Sequence, residues 1–91
     1  MEERVFEVAN SLLELLRSIE LNPSPNTFFD QISDWMNENN PKMKGEEFRS
    51  VVLVTVQMCA ELSRPDPINI VTFSSNYRSK LEGIISPQNL N

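Results

Sequence analysis

The chain has 91 residues, 40% of them hydrophobic, with a formal charge of −5 and a pI near 4.6. That is enough apolar material for one small folded domain and too much for a disordered chain. Eight scattered basic residues against thirteen acidic ones argue against nucleic acid and anionic membranes, where clustered Lys and Arg supply the affinity. The two glycines are fewer than a small antiparallel sheet protein usually needs for its turns, so helices joined through prolines are expected.

From about Glu2 to Leu21, Val5, Val8, Ala9, Leu12, Leu15, Leu16 and Ile19 recur at three- and four-residue steps, one continuous helical stripe. Phe6 and Leu13 widen it, which predicts a helix with two neighbours. Asn22-Pro23 ends it, because a residue before proline avoids the helical region.

A second helix is expected over 26–39, with Ser24 or Thr27 as its cap. Phe28, Ile32, Trp35 and Met36 share one side, with Phe29 at its edge, and Asn39 or Asn40 can take a left-handed cap position. Asp30, Asp34 and Glu38 share another side and read as a solvated stripe. A calcium site would need six to eight oxygens from a shaped loop.

Glu46 and Glu47 favour a helix N-terminus, and the third helix is expected over 46–63. Phe48, Val51, Val52, Thr55, Val56, Cys59 and Leu62 give its helical spacing, and Leu53, Val54, Met58 and Ala60 make it apolar on most sides. The expectation is a central helix burying Val52, Val56 and Cys59 in one core with Leu12 and Leu16. Cys59 is then inert, and Val56→Asp is severely destabilising. The β-branched run 51–56 also fits a buried strand, but 46–63 is too long for one.

Arg64-Pro65-Asp66-Pro67 is a break after which Asp66 can cap a fourth helix over 67–82, carrying Ile70, Phe73, Tyr77, Leu81 and Ile84. Ile68 to Phe73 also alternates like a strand. Gly83 is read as the terminator. The fold class is thus all-α, a compact four-helix bundle or orthogonal helical array, with one domain over 1–85 and a flexible tail over 86–91.

The chain has no histidine, one cysteine and no phosphate-loop, dinucleotide or EF-hand pattern. No catalytic residue, cofactor or metal is therefore expected. The acidic start, single cysteine and lack of a long apolar run point to a cytoplasmic protein without a membrane span. Lys42 and Lys44 in a loop, and Arg78 and Lys80 on the last helix, are the only local excess of positive charge. The third helix opens on carboxylates and continues into aliphatics, so it has nothing with which to read bases.

The expected function is a non-enzymatic protein–protein interaction module, an adaptor, assembly factor or regulator, with a homodimer as one form of it. Phe6, Leu13, Phe29, Trp35 and Met36 are the candidate contacts, and truncating Phe6, Leu13 or Trp35 is expected to weaken association more than folding. Two alternatives are an acidic decoy occupying a basic nucleic-acid-binding site, and a non-catalytic accessory subunit of an enzyme.

Overall fold

The computed structural model of the chain describes residues 1–86. These form four α-helices, α1 (Glu3–Leu21), α2 (Phe28–Asn39), α3 (Arg49–Leu62) and α4 (Ile70–Ile85), with single 3-10 turns at Asn40–Lys42 and Glu46–Phe48. The architecture is all-α, and the described residues contain no strand. Of the expected tail at 86–91, all but Ser86 lies outside the described residues.

α1 and α4 form the best-packed pair. Arg17 meets Glu82, and Arg78 meets Glu20, so the two helices run antiparallel. Leu12, Leu16, Ala9 and Ile19 of α1 are buried here, as are Phe73, Ser74, Tyr77 and Leu81 of α4. α2 is fixed to this pair at two points. The Trp35 Nε1–H donates to Ser11 Oγ (2.8 Å), and the Phe28 ring meets Phe73 edge-on, with centroids 5.3 Å apart. α3 packs on α4 through Val54 and Met58 on its buried side, with the Tyr77 hydroxyl reaching its backbone.

The molecule measures 34 × 31 × 20 Å. A helix with its side chains is about 10–12 Å across, so the short dimension holds two layers, and each helix keeps an outer face.

Several local expectations are corrected. Neither Ser24 nor Thr27 caps α2 with its side chain; the Ser24 carbonyl accepts from the Thr27 and Phe28 amides in a turn instead. Asn39 and Asn40 are right-handed, because the chain continues from α2 into the 3-10 turn, and the Asn39 side chain donates to the Trp35 carbonyl. Among the described residues only Gly45 has a positive φ, +107°. α4 begins at Ile70 rather than 67, capped by Asn69, whose Oδ1 accepts from the Thr72 amide at 3.0 Å. Asp66 does not cap it. Gly83 lies inside the helix, which runs on to Ile85, where Ile84 and Ile85 still pack on the core.

The largest correction concerns α3. Its buried residues are Val51, Val54, Thr55 and Met58. Val56 is 56% exposed, Cys59 is exposed and Val52 is half-buried. The helix is rotated from the expected orientation because its polar edge faces α4. The Tyr77 hydroxyl lies 3.1 Å from the Gln57 carbonyl oxygen and 2.9 Å from Glu61 Oε1, donating to one at a time. Lys80 Nζ donates to Gln57 Oε1 at 3.1 Å while sitting over the Tyr77 ring. Turning Gln57 and Glu61 inward turns Val56 and Cys59 outward.

Candidate interaction surface

α2 leans on α1 and α4, and α3 leans on α4. A furrow is left between α2 and α3, in two adjoining open depressions of about 370 and 490 Å³ that share Met36 and Cys59. Met43 and Asn40 stand at one end, Leu62 and Ser63 at the other. The α2 wall is Phe29, Met36 and Ser33, with Asp30 at its edge, and the α3 wall is Val52, Val56 and Cys59.

Beyond Val56 the surface continues over the outer side of α3 through Leu53, 57% exposed, and Ala60. These positions lie within a third of a turn of one another, since each residue advances the helix by 100°. From Ser50 to Ala60 the helix carries no charged residue. Phe29, 55% exposed, borders the furrow opposite Cys59 and Leu62. Exposed apolar residues are ordinary when scattered; here Leu53, Val56 and Ala60 adjoin on one side of α3.

The expected contact residues separate into three groups. Phe29 and Met36 come together in the furrow. Phe6 is 42% exposed but lies on the α1 flank that carries Leu13 and Arg17, away from Ser11 and α2. Leu13 and Trp35 are buried in the chain's own core, Trp35 with its N–H satisfied by Ser11. Substituting either would damage the fold first, which corrects the expectation that association would suffer more. Val56 and Cys59 were expected in the core, and Leu53 was not singled out as a contact. The signal in the sequence is the recurrence of Ser50, Gln57 and Glu61 along one edge of α3, with Tyr77 available on α4 to receive it.

The charged groups are arranged around, not within, this surface. Arg78 is half-buried between Glu20 and Glu82, and Glu82 also receives Arg17. The hydrogen bond to Glu20 is the main cause of a raised Arg78 pKa; the one from Arg17, with Arg78 adding to it, holds the Glu82 carboxyl below its ordinary value. Lys42 and Lys44 border a separate depression with Arg4 and Glu7 over the Phe48 ring, where Arg4 is paired with Glu2 and Glu47. Asp30, Asp34 and Glu38 are exposed and form no ion pair among the described residues. The described residues place no three Cys, Asp or Glu side chains so as to hold a metal ion. Among the described residues, no helix is long and apolar enough to cross a membrane. No family model, curated protein or solved structure matches the chain.

Proposed function

We propose that the protein is a non-enzymatic interaction module that docks another protein chain on the α2–α3 face. The observation that carries this reading is the run of Leu53, Val56 and Ala60 on the outer side of α3, with Leu53 and Val56 each more than half exposed, on a helix free of charge from Ser50 to Ala60 and beside the furrow that Phe29 borders. Burying such side chains on a partner is worth roughly 25 cal/mol per Å² of apolar surface before the costs of association. The furrow gives an incoming side chain walls on both sides, and rigid aromatic anchors such as Phe29 are the residue type that dominates binding energy.

The test is capture of bound proteins from the native cell extract by the tagged chain, with Leu53→Lys, Val56→Lys and Phe6→Lys compared. Loss of an anchor costs over ~2 kcal/mol of binding, about 30-fold. Leu53→Lys and Val56→Lys should each lose the captured protein, and Phe6→Lys should retain it. Capture unaltered by both α3 substitutions would overturn the assignment of this face.

A further inference from the structure

We propose that the groove between α1 and α2 receives an arginine side chain, carried by a basic segment of another chain and held by Glu7, Glu38 and the amide oxygen of Asn39. The site is separate from the α2–α3 furrow and does not depend on it.

Asn39 is the residue that points to a ligand. It is only 6% exposed. Its Nδ2 donates to the Trp35 carbonyl at 2.9 Å, which turns Oδ1 the other way. That oxygen accepts from no donor among the described residues. Among those residues Ser74 Oγ is the sole fully enclosed side-chain polar atom without a partner, so Asn39 Oδ1 is unbonded but not sealed. Asn39 lines a depression of about 200 Å³ between α1 and α2, and the oxygen opens there. An acceptor so nearly buried gains most from a donor that enters its one opening.

Glu7 of α1 and Glu38 of α2 flank the same depression, and neither forms an ion pair among the described residues. Ser11 also lines it, but its hydroxyl is committed: it accepts from Trp35 Nε1 at 2.8 Å and donates to the Val8 carbonyl at 2.9 Å. The free groups of the two walls are therefore acceptors, two carboxylates and a carbonyl oxygen. The matching ligand is a cation with several N–H donors spread over a plane, which is a guanidinium. An ammonium is a compact point charge with three donors, and a calcium ion would need six to eight oxygens from a shaped loop. The volume equals that of about seven waters at ~30 Å³ each, room for a guanidinium and the end of its stem.

The surroundings favour an arginine within a chain over the free amino acid. Glu14 follows Glu7 by seven residues and Asp34 precedes Glu38 by four, so each stands on the same side of its helix as the residue that flanks the depression. Both are exposed and in no ion pair among the described residues. Free arginine would bring its own carboxylate into this field, whereas a basic segment is attracted along it. Lys42 is the one cation that lines the depression; it is exposed and paired with neither carboxylate. Its ammonium repels an incoming guanidinium, and its removal is therefore diagnostic.

The test is titration of the whole protein, at about 0.15 M salt, with a blocked peptide Lys-Ala-Arg-Ala-Lys from micromolar to millimolar concentration. Trp35, the sole tryptophan, lines the depression, so its emission reports occupancy. The arginine peptide should give a saturable change, and the same peptide with lysine or citrulline at its centre should bind about tenfold more weakly or less. Glu7→Gln and Glu38→Gln should each weaken binding about tenfold with unchanged circular dichroism. Glu14→Gln removes the same charge about 10 Å along the helix, beyond the ~8 Å screening length, and should change affinity less than about twofold. Lys42→Met should tighten binding, and Leu53→Lys and Val56→Lys should leave it unaltered. Absence of a saturable change at millimolar peptide, or equal binding of the arginine and lysine peptides, overturns the proposal. So does a loss in Glu14→Gln as large as in Glu7→Gln, which would mean diffuse attraction to an acidic surface, or weaker binding in Lys42→Met.

Discussion

Tyr77 is the one residue at which aromatic packing, a polar network and a helix junction meet. Its ring is tilted against Phe73 at 4.8 Å, and its hydroxyl is shared between the Gln57 carbonyl and the Glu61 carboxylate. Burial first, then the hydrogen bond to Glu61, pushes its pKa from 10.0 up to about 12. A raised folded-state value means that the neutral phenol is favoured in the fold. Its contribution is present below pH 10 and is lost as pH rises from 10 towards 12. Two pKa steps correspond to at most about 2.7 kcal/mol. Since the chain has a single tyrosine, absorbance of the phenolate near 295 nm reports it without ambiguity. Titration should be delayed to about pH 12 in the folded protein, and a normal midpoint near 10 would show that the phenol is neither buried nor bonded to Glu61. Tyr77→Phe should cost about 1.5–3 kcal/mol by chemical denaturation, the range for a hydrogen bond to a charged acceptor. Ser74 is the opposite case. It is fully buried and its hydroxyl has no partner among the described residues. Ser74→Ala removes an unsatisfied group and raises helix propensity, so it should leave stability unchanged or raise it by up to ~1 kcal/mol. A loss of more than ~1 kcal/mol would show that the hydroxyl is bonded in solution.

At the scale of elements, the rotation of α3 makes a paired prediction. Val54 is 3% exposed, against 56% for Val56 two residues on. Val54→Asp places an unpaired carboxylate in the core and should cost more than ~3 kcal/mol. Val56→Asp should stay within about 1 kcal/mol of wild type. Thermal melts give both values, and the reverse order would restore the orientation expected from periodicity. The contrast also marks what could be read from the chain. α1 was legible almost residue by residue, because Glu3, Glu7, Glu14 and Arg17 leave its stripe no alternative. α2 was nearly so, up to its caps. α3 was legible as a helix but not in rotation. With apolar residues on most of its circumference, its orientation is set by Gln57 and Glu61 finding Tyr77 and Lys80 on a helix distant in sequence. The candidate site inherited that ambiguity. Phe29 and Met36 were found, since the polar side of α2 defines them as edge residues, whereas Leu53, Val56 and Cys59 were assigned to the core or passed over. The start of α4 was missed for a simpler reason: Asp66-Pro67 and Asn69 are both plausible caps, and the half-buried Ile68 holds the chain extended as far as Asn69.

For the whole molecule, acid is the condition that separates internal from surface electrostatics. Its two longest-packed helices are joined by an alternating chain of charges, Glu20, Arg78, Glu82 and Arg17. Glu82 is held below its ordinary value of 4.5, chiefly by its hydrogen bond from Arg17 and then by Arg78. A lowered folded-state value means the carboxylate is favoured in the fold. Its contribution is present above pH 4.5 and is lost as pH falls below it. The contribution is discounted because the side chain is 39% exposed and screened by salt. Meanwhile the net charge of −5 shrinks in the same interval, which relieves repulsion and acts the other way. The two effects are distinguished by substitution. Glu82→Gln removes the first and leaves nearly all of the second. Thermal midpoints of wild type and Glu82→Gln should therefore differ near pH 7 and converge as pH falls below about 4. Raising salt at neutral pH should narrow the same gap. A gap that persists unchanged at low pH would mean that the Glu82 side chain acts through packing against α1 and not through its charge.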